Sequence, residues 1–163
     1  TVKDCRAKTA NGKVLLGNLE CGKLETETAN GQINVSRSAI KDLEAETING
    51  AIKADGFFDQ VDLQSFNGNV TCTVKNQDCE SVEVKATTGS IDVFLPEKTP
   101  ASGELKSNLG GFTIEIDGIQ VVEEKSDMVQ KNLRFKPADS GQKAVRLYAD
   151  TKTGSIAVKK LIQ

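Results

Sequence analysis

The chain has 163 residues, 21 basic and 23 acidic side chains, a formal charge of −2 and no histidine. A length of this order suffices for one domain with its own core. The charge balance speaks against a dedicated nucleic-acid binder, no apolar run approaches the roughly 20 residues of a membrane-spanning helix, and the missing imidazole removes the usual general base and the commonest metal ligand. With no Trp, one Tyr and six Phe, an aromatic ligand platform is not expected.

The chain opens Thr1-Val2-Lys3-Asp4-Cys5, without Met or an apolar leader stretch. The expectation is a fragment of a longer native chain, its first residues already in the repeat. That repeat is the main signal. Thr9-Ala10-Asn11-Gly12-Lys13-Val14 returns as Thr28-Ala29-Asn30-Gly31-Gln32-Ile33 and Thr47-Ile48-Asn49-Gly50-Ala51-Ile52. Ser65-Phe66-Asn67-Gly68-Asn69-Val70 and Ala86-Thr87-Thr88-Gly89-Ser90-Ile91 follow, with looser copies at Gly110 and Gly154. The glycines are separated by 19, 19, 18, 21, 21 and 44 residues, and the last gap holds a degenerate copy near Lys131–Phe135.

Aligned on the glycine, alternate positions are apolar or small. Seven before it stand Cys5, Leu24, Leu43, Val61 and Val82; two after it stand Val14, Ile33, Ile52, Val70 and Ile91. This is the period-2 pattern of strands with one face buried, on both sides of a turn. Asn-Gly between alternating runs is also a hairpin signal, so a meander of hairpins fits. A parallel β-helix fits better, because stacked coils about 4.8 Å apart reward identical residues in a column. Asn11, Asn30, Asn49 and Asn67 then form an amide ladder, and Thr9, Thr28, Thr47 and Ser65 a hydroxyl ladder. Pro96 and Pro100 bracket a turn, residues 117–142 form an irregular coil or loop, and Lys143–Lys160 makes the last coil.

Cys5, Cys21, Cys72 and Cys79 all fall in inward columns and read as small buried hydrophobes. Cys72 with Cys79 is the one disulfide the spacing leaves open.

The outward column six before the glycine reads Arg6, Glu25, Glu44, Asp62 and Glu83. Stacked carboxylates repel, so Glu25, Glu44, Asp62 and Glu83 are the candidate cation site, Ca²⁺ being the ion they suit. The adopted reading is a solvated polar face with lysines nearby, and no metal. Asp55, Asp59 and Asp62 are the nearest thing to a catalytic acidic cluster, and read as turn residues beside Gly56. Asn108-Leu109-Gly110-Gly111 lacks the spacing and following helix of a phosphate loop, so no cofactor is expected.

The segments Glu27–Val35, Thr87–Val93 and Ala149–Val158 are similar to the "ETANGxIxV", "TTGSIxV" and "ADTKTGSIxV" coils of a family of bacterial adhesin-like domains of unknown function. The resemblance implies an all-β, right-handed, single-stranded parallel β-helix. Seven to eight coils of 18–22 residues then form one domain over residues 1–163. It also implies placement at the bacterial cell envelope, since similar domains in Firmicutes end larger proteins linked to envelope stress and antibiotic response. No catalytic residue carries over. The expected function is a non-catalytic, adhesin-like binding module whose partner is a protein or glycan, or another copy through an uncapped coil end. A partner-docking domain of an envelope-stress protein is the alternative, and a polysaccharide-active enzyme stands behind both. The envelope or extracellular space is the expected location, and the residues alone leave the cytoplasm open.

Overall fold

A computed structural model describes residues 2–139 and 143–161; residues 140–142, the end of the expected irregular segment, lie outside the described residues. Among the described residues every regular element is a strand. In chain order they are β1 Val2–Asn11, β2 Val14–Gly17, β3 Glu20–Asn30, β4 Ile33–Asn49, β5 Ile52–Asn67, β6 Val70–Val74 and β7 Ser81–Thr88. There follow β8 Ile91–Pro96, β9 Ala101–Leu109, β10 Phe112–Glu115, β11 Ile119–Ser126, β12 Lys131–Pro137, β13 Val145–Thr153 and β14 Ile156–Leu161.

The strands pair in parallel, in the register that the glycine alignment predicts. Leu24 lies beside Leu43, Leu43 beside Val61, and Val61 beside Val82. One wall runs β1-β3-β4-β5-β7-β13-β9, and the other runs β2-β4-β5-β6-β8-β14-β10. β4 and β5 are long enough to bend and serve both walls. The meander of hairpins is thereby excluded for this part of the chain. Side chains alternate across each strand, and the inward columns fill the space between the walls. Ile33, Ile52, Val70, Ile91 and Ile156 form one fully buried column. Burying one such side chain contributes about 1.5–3 kcal/mol.

The corner explains the repeated glycine. The amide of Gly50 donates to the Asn67 carbonyl, and the carbonyl of Gly50 accepts from the Ser65 hydroxyl at 3.0 Å. Thr47 and Thr28 do the same to the carbonyls of Gly31 and Gly12, at 3.1 and 3.4 Å. The expected ladder of hydroxyl on hydroxyl is therefore a set of hydroxyl-to-carbonyl bonds, each tying one layer to the corner before it. The amide ladder does form: Asn30 donates to Asn11, Asn49 to Asn30 and Asn67 to Asn49, at 2.8–2.9 Å.

Two features depart from the sequence reading. The layers do not follow chain order. The glycine corners stack as 12, 31, 50, 68, 89, then 154, then 110, because β13 lies between β7 and β9, and β14 between β8 and β10. Residues 143–160 are thus not the outermost coil. Secondly, most of 117–142 is not irregular. β11 and β12 form an antiparallel hairpin, and β12 runs antiparallel against β9. The copy sought near Lys131–Phe135 is this strand, not a coil. Leu133 and Phe135 turn inward over Leu105 and Gly103 and close that end of the core. Phe135 is the register partner of Gly103, whose missing side chain leaves room for the Leu147 backbone of β13. β11 forms the outer edge, bulged between Val121 and Glu123 and charged at Glu123, Glu124 and Lys125. Bulges and charges of this kind protect an open edge from further pairing.

At the opposite end Cys5, Ala7, Leu16 and Leu19 are only half-buried against the core. All four cysteines are free thiols, so Cys72 and Cys79 are unbridged, and Cys21, Cys72 and Cys79 are buried as their columns predict. Burial raises all three thiols: Cys21 is pushed up to about 11, helped by the neighbouring Cys5 thiol, and Cys79 up to about 12. The folded chain therefore holds these protons where the unfolded chain has released them. Stability is expected to be intact below about pH 8.5 and to fall as pH rises from there towards 11–12, by up to about 1.4 kcal/mol per thiol for each pH unit. Denaturant melts from pH 7 to 11 measure this. Replacing Cys79 by Ala should flatten the decline, and an unchanged slope would contradict the assignment.

Candidate functional site

The outer surface of the long-strand wall carries the acidic column. Parallel register places Glu25, Glu44, Asp62 and Glu83 side by side on successive strands. β13 and β9 extend it with Tyr148 beside Glu83 and Glu104 beside Tyr148. Glu44, Asp62, Glu83, Tyr148 and Glu104 line one open groove of about 580 Å³, with Arg146 beside them. Five rungs at about 4.8 Å spacing give the column a length of about 19 Å along the stack.

Four of these carboxylates have a cationic partner that offsets the stacking repulsion. Glu25 lies outside the groove and pairs with Arg6 at 2.8 Å and Lys8 at 3.4 Å. The Arg6 hydrogen bond holds its carboxyl below the usual range. Lys23 reaches Glu44 at 3.1 Å, and Lys85 reaches Glu83 at 2.9 Å. Glu104 accepts from Asn132 at 2.8 Å and from Arg134 at 3.2 Å. Its partial burial pushes the carboxyl up, but those two bonds and the nearby Lys106 outweigh the effect and hold it low. Lys85 and Lys106 flank the Tyr148 ring at 6.0 and 5.5 Å from its centroid, which occupies the ring faces. Tyr148 donates its hydroxyl to Asp150 at 3.3 Å.

Asp62 differs. Burial raises its carboxyl, the Gln64 amide at 3.3 Å only partly opposes this, and the charges of Glu83 and Glu44 add to the rise. The folded state then binds the proton more tightly than the unfolded chain. Stability contributed by the acid form is lost as pH rises through the carboxylate range, so charged Asp62 is a net cost at neutral pH. Asp62→Asn is expected to raise stability at pH 7 by a few tenths to about 1 kcal/mol. The gain should vanish near pH 3, where the native side chain is protonated too. Melting temperatures at the two pH values check this, and a loss at pH 7 would contradict it.

The acidic column does not gather round a point. Among the described residues no group of three or more Cys, Asp or Glu side chains could hold a metal ion. The second acidic candidate is dispersed: Asp55 lies on the other wall beside Thr73 and pairs with Lys75, whereas Asp62 faces the groove. Asp59 stands at the corner between them, and its carbonyl accepts from the Glu80 amide at 2.7 Å. Glu104, Arg146 and Tyr148 are groove residues that sequence reading missed. Tyr148 and Glu104 stand six before Gly154 and Gly110, so the glycine alignment holds the signal once the loose copies are included.

Known proteins place the chain as follows. It is similar to the uncharacterized protein YvlB of Bacillus subtilis (strain 168), 37% identical over 104 residues. That match covers 64% of this chain and 28% of the relative, so the chain spans well under half the length of the relative. No solved structure matches the chain. The model of the Toastrack DUF4097 family matches residues 1–159, nearly the whole length, in keeping with an all-β stack of parallel strands. On that match the chain belongs to the Toastrack DUF4097 family.

Proposed function

We propose that this chain is a non-catalytic, adhesin-like binding module of the bacterial cell envelope, and that the groove on its long-strand wall holds an extended polar ligand. The observation that carries this reading is the groove itself: carboxylates of four strands lie along one stack axis, on strands rather than loops, with Arg146 in the neighbouring column beside Ser81 and Ser102. Sites on paired strands are held more rigidly than sites on loops. Carboxylates at regular spacing accept hydrogen bonds from a donor-rich chain, and a glycan supplies hydroxyl donors repeatedly. The winding is proposed to be right-handed, as crossovers between parallel strands almost always are, with each glycine corner closing one of seven coils.

The test is retention on envelope glycans. The unaltered chain and the triple variant Glu44→Gln, Asp62→Asn, Glu83→Gln are compared by pull-down on purified cell-wall polysaccharide and by calorimetry with soluble fragments. The expected result is binding that weakens at least tenfold in the triple variant, with no fall in melting temperature. Equal binding by both chains, or none by either, overturns the groove reading. Turnover of any polysaccharide overturns the non-catalytic one, and its dependence on Asp62 would favour an enzyme.

A second reading is a partner-docking domain within a larger envelope-stress protein. It is favoured by the Bacillus relative, in which the matched segment is 28% of the length. Retention of a defined envelope protein, with no glycan binding, would select it.

A further inference from the structure

The layer order has a consequence for assembly. In a solenoid wound in chain order the last coil lies at an end. Here β13 and β14 are paired on both sides, to β7 and β9 and to β8 and β10. None of these four strands is next to them in sequence. The corner is bonded in the same two-sided way. The Gly89 amide donates to the Thr153 carbonyl at 2.8 Å, and the Gly154 amide donates to the Leu109 carbonyl at 2.9 Å. The Thr151 hydroxyl reaches the Gly89 carbonyl at 3.0 Å, and the Ser107 hydroxyl reaches the Gly154 carbonyl at 2.9 Å. Without this segment, the layer of β9 and β10 would stand two rises, about 9.6 Å, from the layer of β7 and β8.

We infer that this slot is an interaction site for a second copy of the chain, whose residues 145–161 enter it in place of the chain's own. Everything the slot recognises is supplied by a strand–corner–strand segment: backbone donors and acceptors on both edges, the Gly154 corner, and the inward set Val145, Leu147, Ala149, Ile156 and Val158. A second copy carries that segment unchanged, so exchange loses no strand pair and no buried side chain. Reciprocal exchange of an identical element is a low-cost route to a dimer. Seven residues, 138–144, connect β12 to β13, and only this connection must run between chains. β9 to β12 precede β13 in the chain, so the slot stands open until a segment 145–161 arrives. The native monomer exchanges slowly, since release breaks two walls of pairing at once. Exchange is therefore set during refolding, by chain concentration.

The experiment uses the full chain carrying Leu109→Cys and Thr153→Cys, which are exposed register partners across one edge of the slot. Isotope-labelled and unlabelled chains are mixed, unfolded, refolded together over a range of concentrations and oxidised. The linked peptide is then read by mass spectrometry. Expected are hybrid peptides, one half labelled, in a covalent dimer whose share rises about tenfold for a tenfold rise in concentration while it is the minor species. Linked peptides carrying one label only, at every concentration, overturn the proposal. Should that pair disturb folding, Thr88→Cys with Thr153→Cys reads the other edge of the slot in the same way.

Discussion

A chain ending at Asp139 is expected to lose several kcal/mol of stability and all protection of β9 to β12. The missing segment contributes Val145, Leu147, Ala149, Ile156 and Val158 to the core. Counting these apolar side chains at about 1.5–3 kcal/mol for each large one gives roughly 6–12 kcal/mol, the size of a whole domain's stability. The loss does not fall evenly, because each layer of a stack depends on its neighbours. Layers from β3 to β8 keep both partners or lose one, whereas β9 and β10 lose the face they pack on. Hydrogen exchange with mass spectrometry checks this. Residues 20–88 should stay protected and residues 101–137 should exchange freely. A truncated chain with the melting temperature of the full one would contradict the layer order.

The second large effect is expected at a corner. A Cβ on Gly50 would lie 1.9 Å from the Gly31 carbonyl oxygen, and φ there is +155°. Neither the oxygen nor the strand behind it can move aside, because that oxygen accepts from Thr47. Gly50→Val is expected to cost about 4 kcal/mol, in the range that marks overlap with fixed backbone. Gly12 is the control. It has a φ of +125° but nothing within 4 Å of the added carbon, since it sits in the outermost layer. Gly12→Val should therefore cost only the conformational strain, about 1–2 kcal/mol. Equal losses in chemical denaturation would show that conformation alone requires the glycines, and that the corners are not in contact.

These cases separate what a sequence can carry from what it cannot. The columns through Leu24, Leu43, Val61 and Val82, and the Ile33 to Ile156 column, were legible because burial of one strand face imposes a period of 2 and the corner fixes its phase. The amide ladder was legible because identical asparagines at coil spacing have a physical purpose. Partner choice was not legible. Layers built on Gly89, Gly110 and Gly154 present the same apolar phase, so each matches either neighbour, and no local signal places Gly154 between the others. The hairpin of β11 and β12 was hidden for a different reason. Val121, Val122, Met128 and Val129 are exposed, so its apolar residues do not follow the core-facing period. In the groove, Glu44, Asp62 and Glu83 are legible as a column because their layers are consecutive in the chain. Tyr148 and Glu104 complete that column only through the displaced layer order.

Engineered disulfides on the corner edge test that order most directly. Thr88 and Thr153 are register partners, as are Thr153 and Leu109, so Thr88 and Leu109 are two strands apart. Disulfides form when the Cα atoms are about 4.4–6.8 Å apart and fail beyond about 7 Å. The variant Thr88→Cys, Thr153→Cys should oxidise fully in the native state, and Thr88→Cys, Leu109→Cys should stay reduced. Closure of the second pair without the first would mean that the coils stack in chain order, and would contradict the fold described here.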